Sequence, residues 1–343
     1  MKRYRVLYLI NYAPNYRDKF LSELGKHVDL TVTSYVGKEA NLKDPEERIG
    51  YKYIPLVRKM FFKINFNLKE FTLANGNFDV IIVGYTLWNP FRMINLLRRN
   101  KRVICEGMIF GSNNNFVIKL LRKIFVNLGE GILVYSEIVK QRLIHETNKP
   151  IIVFNNSSYS KSEITPLPFD SISNQLNILW VGRFQKRKKI ERLYNLAKKD
   201  KRVNVCLIGD GIKEFFKEYE QLENFLILEA SYEKDLFKHF EWCHAIFNPG
   251  HVGLLVMNAA RFGRPIIIDS YSYHAPEIQL AKDANQDFID FSDINKVIEY
   301  IDHLFENPDI LEENAKQLCA KMQNYTIEYM VQQYLKAING EWN

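Results

Sequence analysis

Cysteine is scarce: Cys105, Cys206, Cys243 and Cys319 are the only four in 343 residues, far apart and in no CxxC spacing. That pattern argues against a zinc ribbon or a disulfide framework and suits a reducing compartment. Long apolar runs are missing too, since none approaches the ~20 residues that a membrane-spanning helix requires. The basic opening MKRYRVLYLI has an apolar core of residues 6–10 with no small-residue cleavage site after it, so it reads as a first strand rather than a signal peptide. No Asp-x-Asp pair occurs, so no obligatory metal is expected. Short internal repeats and low-complexity tracts are likewise absent.

What is present is the balance of a folded, water-soluble chain: 47% apolar and 25% charged residues over a length that accommodates two domains. Charge is uneven along it. Residues 1–170 hold 26 Lys+Arg against 15 Asp+Glu, and the remainder holds 21 against 25. The first half is therefore expected to meet an anionic partner: a lipid surface, a phosphorylated acceptor or nucleic acid. No recognition-module pattern supports the last, and no nucleic acid is expected.

Short apolar runs alternate with helical periodicity throughout the first half, with strands predicted at 6–10, 30–33, 80–83, 103–105, 132–135 and 151–154. A polar stretch rich in Ser, Asn and Pro follows, and the rhythm then restarts with strands at 178–181, 203–208 and 225–228. This predicts an α/β protein of two doubly wound domains: 1–156, a linker at 157–176, and 177–325. Residues 326–343 read as a C-terminal helix that could return to the first domain. Ligands of such sheets bind at the C-terminal ends of the strands.

Two stretches at predicted strand ends could carry chemistry. In FNPGHVGLLVMNAARFGRPIIID, residues 247–269, a strand, a glycine turn and a helix over 252–262 follow one another. Gly253 permits close approach of backbone to a ligand, and the amides at the helix start favour phosphate. Gly182-Arg183-Phe184 follows the first strand of the second domain, with Lys186, Arg187, Lys188 and Lys189 just beyond. Such a cluster either neutralises a diphosphate or is a solvated basic turn.

Together these features resemble the nucleotide-sugar-binding domain of the group 1 (family 4) retaining glycosyltransferases, which have the GT-B fold of two Rossmann-like domains. The match lies in Gly182, Arg183 and Lys188, in Leu207-Ile208-Gly209-Asp210-Gly211, and in Pro249, Gly253-Leu254, Ala259 and Gly263-Arg264-Pro265-Ile266. The resemblance implies donor contacts from Gly182, Arg183, Lys188, Gly209, Gly250, His251, Val252, Gly253, Leu254 and Asn258. Arg183 and Lys188 would stabilise the leaving diphosphate, with no cofactor beyond the nucleoside-diphosphate sugar donor. The chain departs from the family pattern in one respect. Gly250 and Asn258 stand where the family has two glutamates seven residues apart; Asn258 could still bind a ribose hydroxyl, and His251 is either a compensating donor contact or a solvent-facing loop histidine.

The first half resembles the acceptor domain of that family through Tyr12, Asn15, Tyr16 and Arg17 after the first strand. Glu106 ends a strand where many members place a histidine. It reads either as a catalytic base toward the acceptor hydroxyl or as a capping or salt-bridging group. Residues 58–66, RKMFFKINF, and 116–126, FVIKLLRKIFV, mix Phe with Lys and Arg. Both suit an anionic membrane, although the second reads slightly better as an ordinary core-facing helix with basic ends. The expected function is sugar transfer to a glycan or lipid-linked acceptor in bacterial envelope synthesis, in the cytoplasm and at the inner face of the membrane. Two alternatives stand beside it: a nucleotide-sugar epimerase or hydrolase of the same fold, and a non-catalytic partner of a glycosyltransferase.

Overall fold

Strands β1 (Arg5–Leu9), β2 (Asp29–Val36) and β3 (Lys52–Val57) open the chain, followed by a two-stranded antiparallel hairpin of β4 (Met60–Phe61) and β5 (Ile64–Asn65). After β6 (Val80–Gly84), β7 (Arg102–Gly107), β8 (Gly131–Val134) and β9 (Ile151–Val153), a seven-stranded parallel sheet is complete in the order β3-β2-β1-β6-β7-β8-β9. The computed structural model describes residues 3–36, 45, 47–57, 59–62, 64, 65, 67–111, 115–231 and 234–342.

Side chains alternate across this sheet, which is why its strands read as unbroken apolar runs. Val6 and Tyr8 of β1 face a core built with Phe20, Leu21 and Leu24 of the Asn15–His27 helix and with Met330, Val331 and Tyr334 of the Ile327–Asn339 helix. Leu7 and Leu9 face the opposite core, with Leu96, Phe125, Val126 and Leu143. The C-terminal helix begins at Thr326, whose side chain accepts from the Tyr329 amide, and ends at Gly340 with φ 82°. It belongs to the first unit, which comprises Met1–Ser158 and Thr326–Asn343.

The second unit, Tyr159–Tyr325, holds β10 (Leu176–Val181), β11 (Val203–Ile208), β12 (Phe225–Leu228), β13 (Ala245–Asn248), β14 (Ile266–Asp269) and β15 (Phe288–Ile289). They form a parallel six-stranded sheet in the order β12-β11-β10-β13-β14-β15. The switch from leftward to rightward connection falls between β10 and β13, where ligands of such sheets bind. Of residues 157–176, read from composition as linker, the part from Tyr159 onward belongs to this unit and is strapped onto it. The Thr165 and Leu167 amides donate to the Arg261 and Phe262 carbonyls, and the buried Arg264 guanidinium donates to the carbonyls of Leu167 and Pro168. Backbone pairing of this kind is invisible to composition.

β3, the β4–β5 hairpin, β15 and the Leu68–Ala74 and Pro90–Leu96 helices carry too little periodicity for a sequence assignment.

Candidate functional site

In the second unit, two glycine turns interlock at the ends of β10 and β11. The Gly182 amide donates to the Ile208 carbonyl and the Phe184 amide to the Asp210 carbonyl, each at 2.9 Å. Gly209 has φ 150°, and a β-carbon there would lie 2.0 Å from the Gly182 oxygen, so only glycine fits. Phe184 stacks on Phe215 with centroids 4.3 Å apart, which fixes the turn bearing the exposed Arg183.

The basic run behind it divides by position. Lys186 and Arg187 are exposed, whereas Lys188 is partly buried and donates from Nζ to the His251 carbonyl at 2.8 Å. Burial, reinforced by the neighbouring Arg187 charge, pulls the Lys188 ammonium down to about 8. The 186–189 turn and the 249–254 loop dock backbone to backbone: the His251 amide donates to Arg187 O at 3.0 Å, and a β-carbon on Gly250 would lie 2.4 Å from Lys188 O. A glutamate at position 250 is therefore excluded by packing, which gives a physical reason for the departure noted in the sequence. Beside it, Gly253 is open, with Lys188 Nζ at 4.0 Å from where its β-carbon would be.

His251 is buried, contrary to the solvent-facing alternative. Its Nδ1 lies 2.7 Å from the Tyr273 carbonyl, which can only accept, so Nδ1 carries the proton. Burial pushes the imidazole down to about 4, so it is neutral near pH 7 with a lone pair on Nε2. The Val252 amide donates to His274 Nδ1 at 3.2 Å, and His274 Nε2 donates to the Asp269 carbonyl at 2.9 Å. The amides of His251 and Val252, two of the residues for which the resemblance implies donor contacts, are thus committed within the protein. Those of Gly253 and Leu254 meet no acceptor among the described residues. Asn258 accepts a hydrogen bond from the Tyr159 hydroxyl, so a ribose would have to share or displace that contact.

Sequence reading missed the scaffold beneath this loop. Asp269, fully buried at the end of β14, accepts from Arg192 Nη1 at 3.3 Å and from the Phe291 amide at 3.2 Å, with Lys189 Nζ at 3.6 Å. Arg192 also donates to the Pro249 carbonyl at 3.0 Å, tying the basic turn to the loop. A lone aspartate closing an apolar strand was the one available signal.

The first unit carries a separate pocket of about 330 Å³ at the C-terminal ends of β1, β6 and β7. Tyr12, Tyr16, Arg17 and Glu106 line it together, as does Tyr135, while the exposed Asn15 does not. Glu106 is 3% exposed, with Arg17 Nη2 3.6 Å away and the Tyr334 hydroxyl donating to it at 3.2 Å. Arg17 also donates to the hydroxyls of Tyr135 at 2.6 Å and Tyr8 at 3.1 Å. Burial holds the Tyr334 phenol well above its ordinary value, so it stays a donor. Glu106 is thus salt-bridged and also lines the pocket. Under the neighbouring wall, fully buried Arg92 pairs with fully buried Glu70 at 2.7 Å and donates to Asn11 Oδ1, Ile10 O and Gly84 O.

The aromatic stretches also have definite places. Met60, Phe61, Phe62 and Ile64 stand exposed on the β4–β5 hairpin, and Arg58, Lys63 and Phe66 lie outside the described residues. The Phe116–Asn127 helix is not simply core-facing, since only Arg122, Phe125 and Val126 of it are buried. Among the described residues no helix is long and apolar enough to cross a membrane, and no group of three or more His, Cys, Asp or Glu is placed to hold a metal ion.

Residues 168–328 match the family model of glycosyl transferases group 1. An uncharacterised 41.2 kDa protein of the cps region of Klebsiella pneumoniae is 29% identical over 133 residues, a match that spans 37% of this chain and 36% of that protein. Among solved structures, sucrose-phosphate synthase of Thermosynechococcus elongatus superposes with a TM-score of 0.69 at 13% identity, covering 98% of both chains. Anabaena HepE, solved with UDP and glucose, gives 0.68 at 12% identity over 98% of this chain and 100% of that one. A putative UDP-N-acetylglucosamine 2-epimerase from Listeria monocytogenes gives 0.63 at 13% identity over 99% and 97%. The two Rossmann-like α/β domains thus form a GT-B-like fold.

Proposed function

We propose that this GT-B-fold protein transfers a sugar, with retention, from a nucleoside-diphosphate sugar to a hydroxyl of a glycan or lipid-linked acceptor in bacterial envelope synthesis. The observation that carries the reading is Lys188, a half-buried ammonium held against the 249–254 loop beside the open Gly253 and the unengaged amides of Gly253 and Leu254. Charge, backbone donors and space converge there as a diphosphate requires, and the segment lies within the stretch matching the glycosyl transferases group 1 model. In this reading Arg183 swings in from its exposed turn as a forked contact to the leaving phosphate. His251 Nε2 supplies the hydrogen-bond acceptor for a donor-sugar hydroxyl that Gly250 cannot, and Asn258 exchanges Tyr159 for a ribose hydroxyl. No metal or cofactor is assigned a step.

On the acceptor side, the pocket of Tyr12, Tyr16, Arg17 and Glu106 takes the hydroxyl-bearing group, with the Glu106 carboxylate as hydrogen-bond acceptor or base. The chain would then work in the cytoplasm, at the inner face of the membrane when its acceptor is lipid-linked.

A thermal-shift panel of nucleoside-diphosphate sugars would identify the donor, since a ligand of the folded state raises apparent stability by mass action. Mass analysis of products with and without acceptor then decides the reaction. A glycosylated acceptor supports transfer. A changed or hydrolysed nucleotide sugar without acceptor favours the epimerase or hydrolase reading, and binding without turnover favours a non-catalytic partner, which the missing glutamate pair keeps in view.

A further inference from the structure

The Phe116–Asn127 helix presents two faces of opposite character. One anchors it: Phe125 packs edge-on against Tyr85 with centroids 4.9 Å apart, and the buried Arg122 pairs with Glu146 at 2.6 Å. The other is apolar yet uncovered, with Phe116 79%, Val117 59%, Leu120 50% and Ile124 42% exposed. At helical spacing these four positions fall on a single stripe roughly 100° wide. Lys119 and Lys123, both exposed, adjoin it on one flank. The sequence of the helix, FVIKLLRKIFVN, contains no acidic residue.

We infer that this face docks the first unit onto an anionic lipid surface, the apolar stripe entering the headgroup–acyl boundary and Lys119 and Lys123 meeting the phosphates. Charge decides the occupant. A second copy of this chain that met the helix through the same half would bring like charges together, since residues 1–170 hold 26 Lys+Arg against 15 Asp+Glu, whereas anionic headgroups pair with both lysines. A stripe of bulky apolar groups with basic flanks and no carboxylate is the composition that interfacial helices use. Position agrees with the chemistry. Met108, Ile109, Phe110 and Gly111 line the pocket that holds Glu106, and the helix begins only a few residues later. An acceptor carried on a lipid would present its hydroxyl to that pocket while its chain stayed in the bilayer beside the helix. The docking itself stands independently of the transfer reading, because it requires no turnover.

The experiment is co-sedimentation of the full chain with vesicles of phosphatidylcholine alone and with about 30% phosphatidylglycerol. Binding is expected to the anionic vesicles only and to be released by raised salt. Leu120→Ser combined with Ile124→Ser should lower the bound fraction at least ~10-fold, with unchanged circular dichroism and melting temperature because neither side chain is part of the buried face. Lys119→Gln with Lys123→Gln provides a second test that leaves the apolar stripe intact, and should weaken binding several-fold. Wild-type protein that stays in the supernatant at low salt overturns the inference. So does binding that both variants retain, or a concentration-dependent dimer in light scattering that the Leu120 and Ile124 substitutions abolish.

Discussion

Gly250 lies so close beneath the Lys188 carbonyl that any side chain would begin 2.4 Å from that oxygen. The absence of a side chain at this point in the loop is thus coupled to the placement of a cation. Gly250→Ala should push the 186–189 turn away, lowering stability by about 1–3 kcal/mol, the usual cost of forcing a methyl into a filled site. Donor affinity should fall with it, because the Lys188 ammonium moves with its backbone. Calorimetric melting and donor titration would check both; an unchanged melting temperature would show that the two segments are less tightly docked than this.

Lys188→Ala and Arg183→Ala should each raise donor KM and lower kcat, with a loss in kcat/KM on the order of 2–4 kcal/mol for each variant if they stabilise charge on the departing phosphate. Steady-state kinetics of both variants would test the assignment, and wild-type behaviour in the two would remove it.

Lys188 also predicts a pH limb. Its ammonium sits near 8 rather than at the usual lysine value, because burial disfavours the charge. Below about 8 the free enzyme carries the cation; as pH rises through that value the cation is lost, so kcat/KM should fall on the alkaline side. Lys188→Arg stays charged there and should shift or erase the limb even if its activity is lower. The unfolded chain holds this proton up to about 10.4, so between those two values folding stability gains from Lys188 as pH rises. An alkaline limb identical in the arginine variant would assign it to another group.

Glu106→Gln should slow transfer by at least ~100-fold, the low end for a positioned acid or base, with donor affinity unchanged. Tyr334→Phe removes only the hydroxyl that donates to Glu106 at 3.2 Å. It should lower kcat about 10-fold with donor affinity unchanged, because the carboxylate loses the hydroxyl that holds it in place. Equal damage to donor binding in Glu106→Gln would mark the residue as structural.

Arg92 and Glu70 are both fully buried and paired at 2.7 Å. Glu70→Gln would leave the guanidinium uncompensated, and a loss of about 3–5 kcal/mol is expected in urea unfolding. A loss below 1 kcal/mol would mean that the carbonyls of Ile10 and Gly84 already satisfy Arg92.

Much of the fold was determined by local sequence. Doubly covered parallel strands must be apolar on both faces, so the runs around Val6, Ile81, Ile104, Leu179 and Ile246 announce themselves, and the glycines at 182, 209 and 253 mark the strand-end turns between them. The same logic placed Arg183 and Lys188 at a strand end. Tertiary structure alone decided the rest, because it depends on chain segments that meet only after folding. Tyr334 reaches Glu106 across 228 residues, and nothing local to either position encodes that contact. Residues 159–176 look like linker because their pairing is made by backbone amides, which every sequence possesses. In the Phe116–Asn127 helix, periodicity specifies that apolar residues lie on more than one face, but only packing determines which face meets the core and which is left to a partner. For Gly250, the sequence shows a missing carboxylate; the reason is steric, since the Lys188 carbonyl occupies the space where a side chain would start.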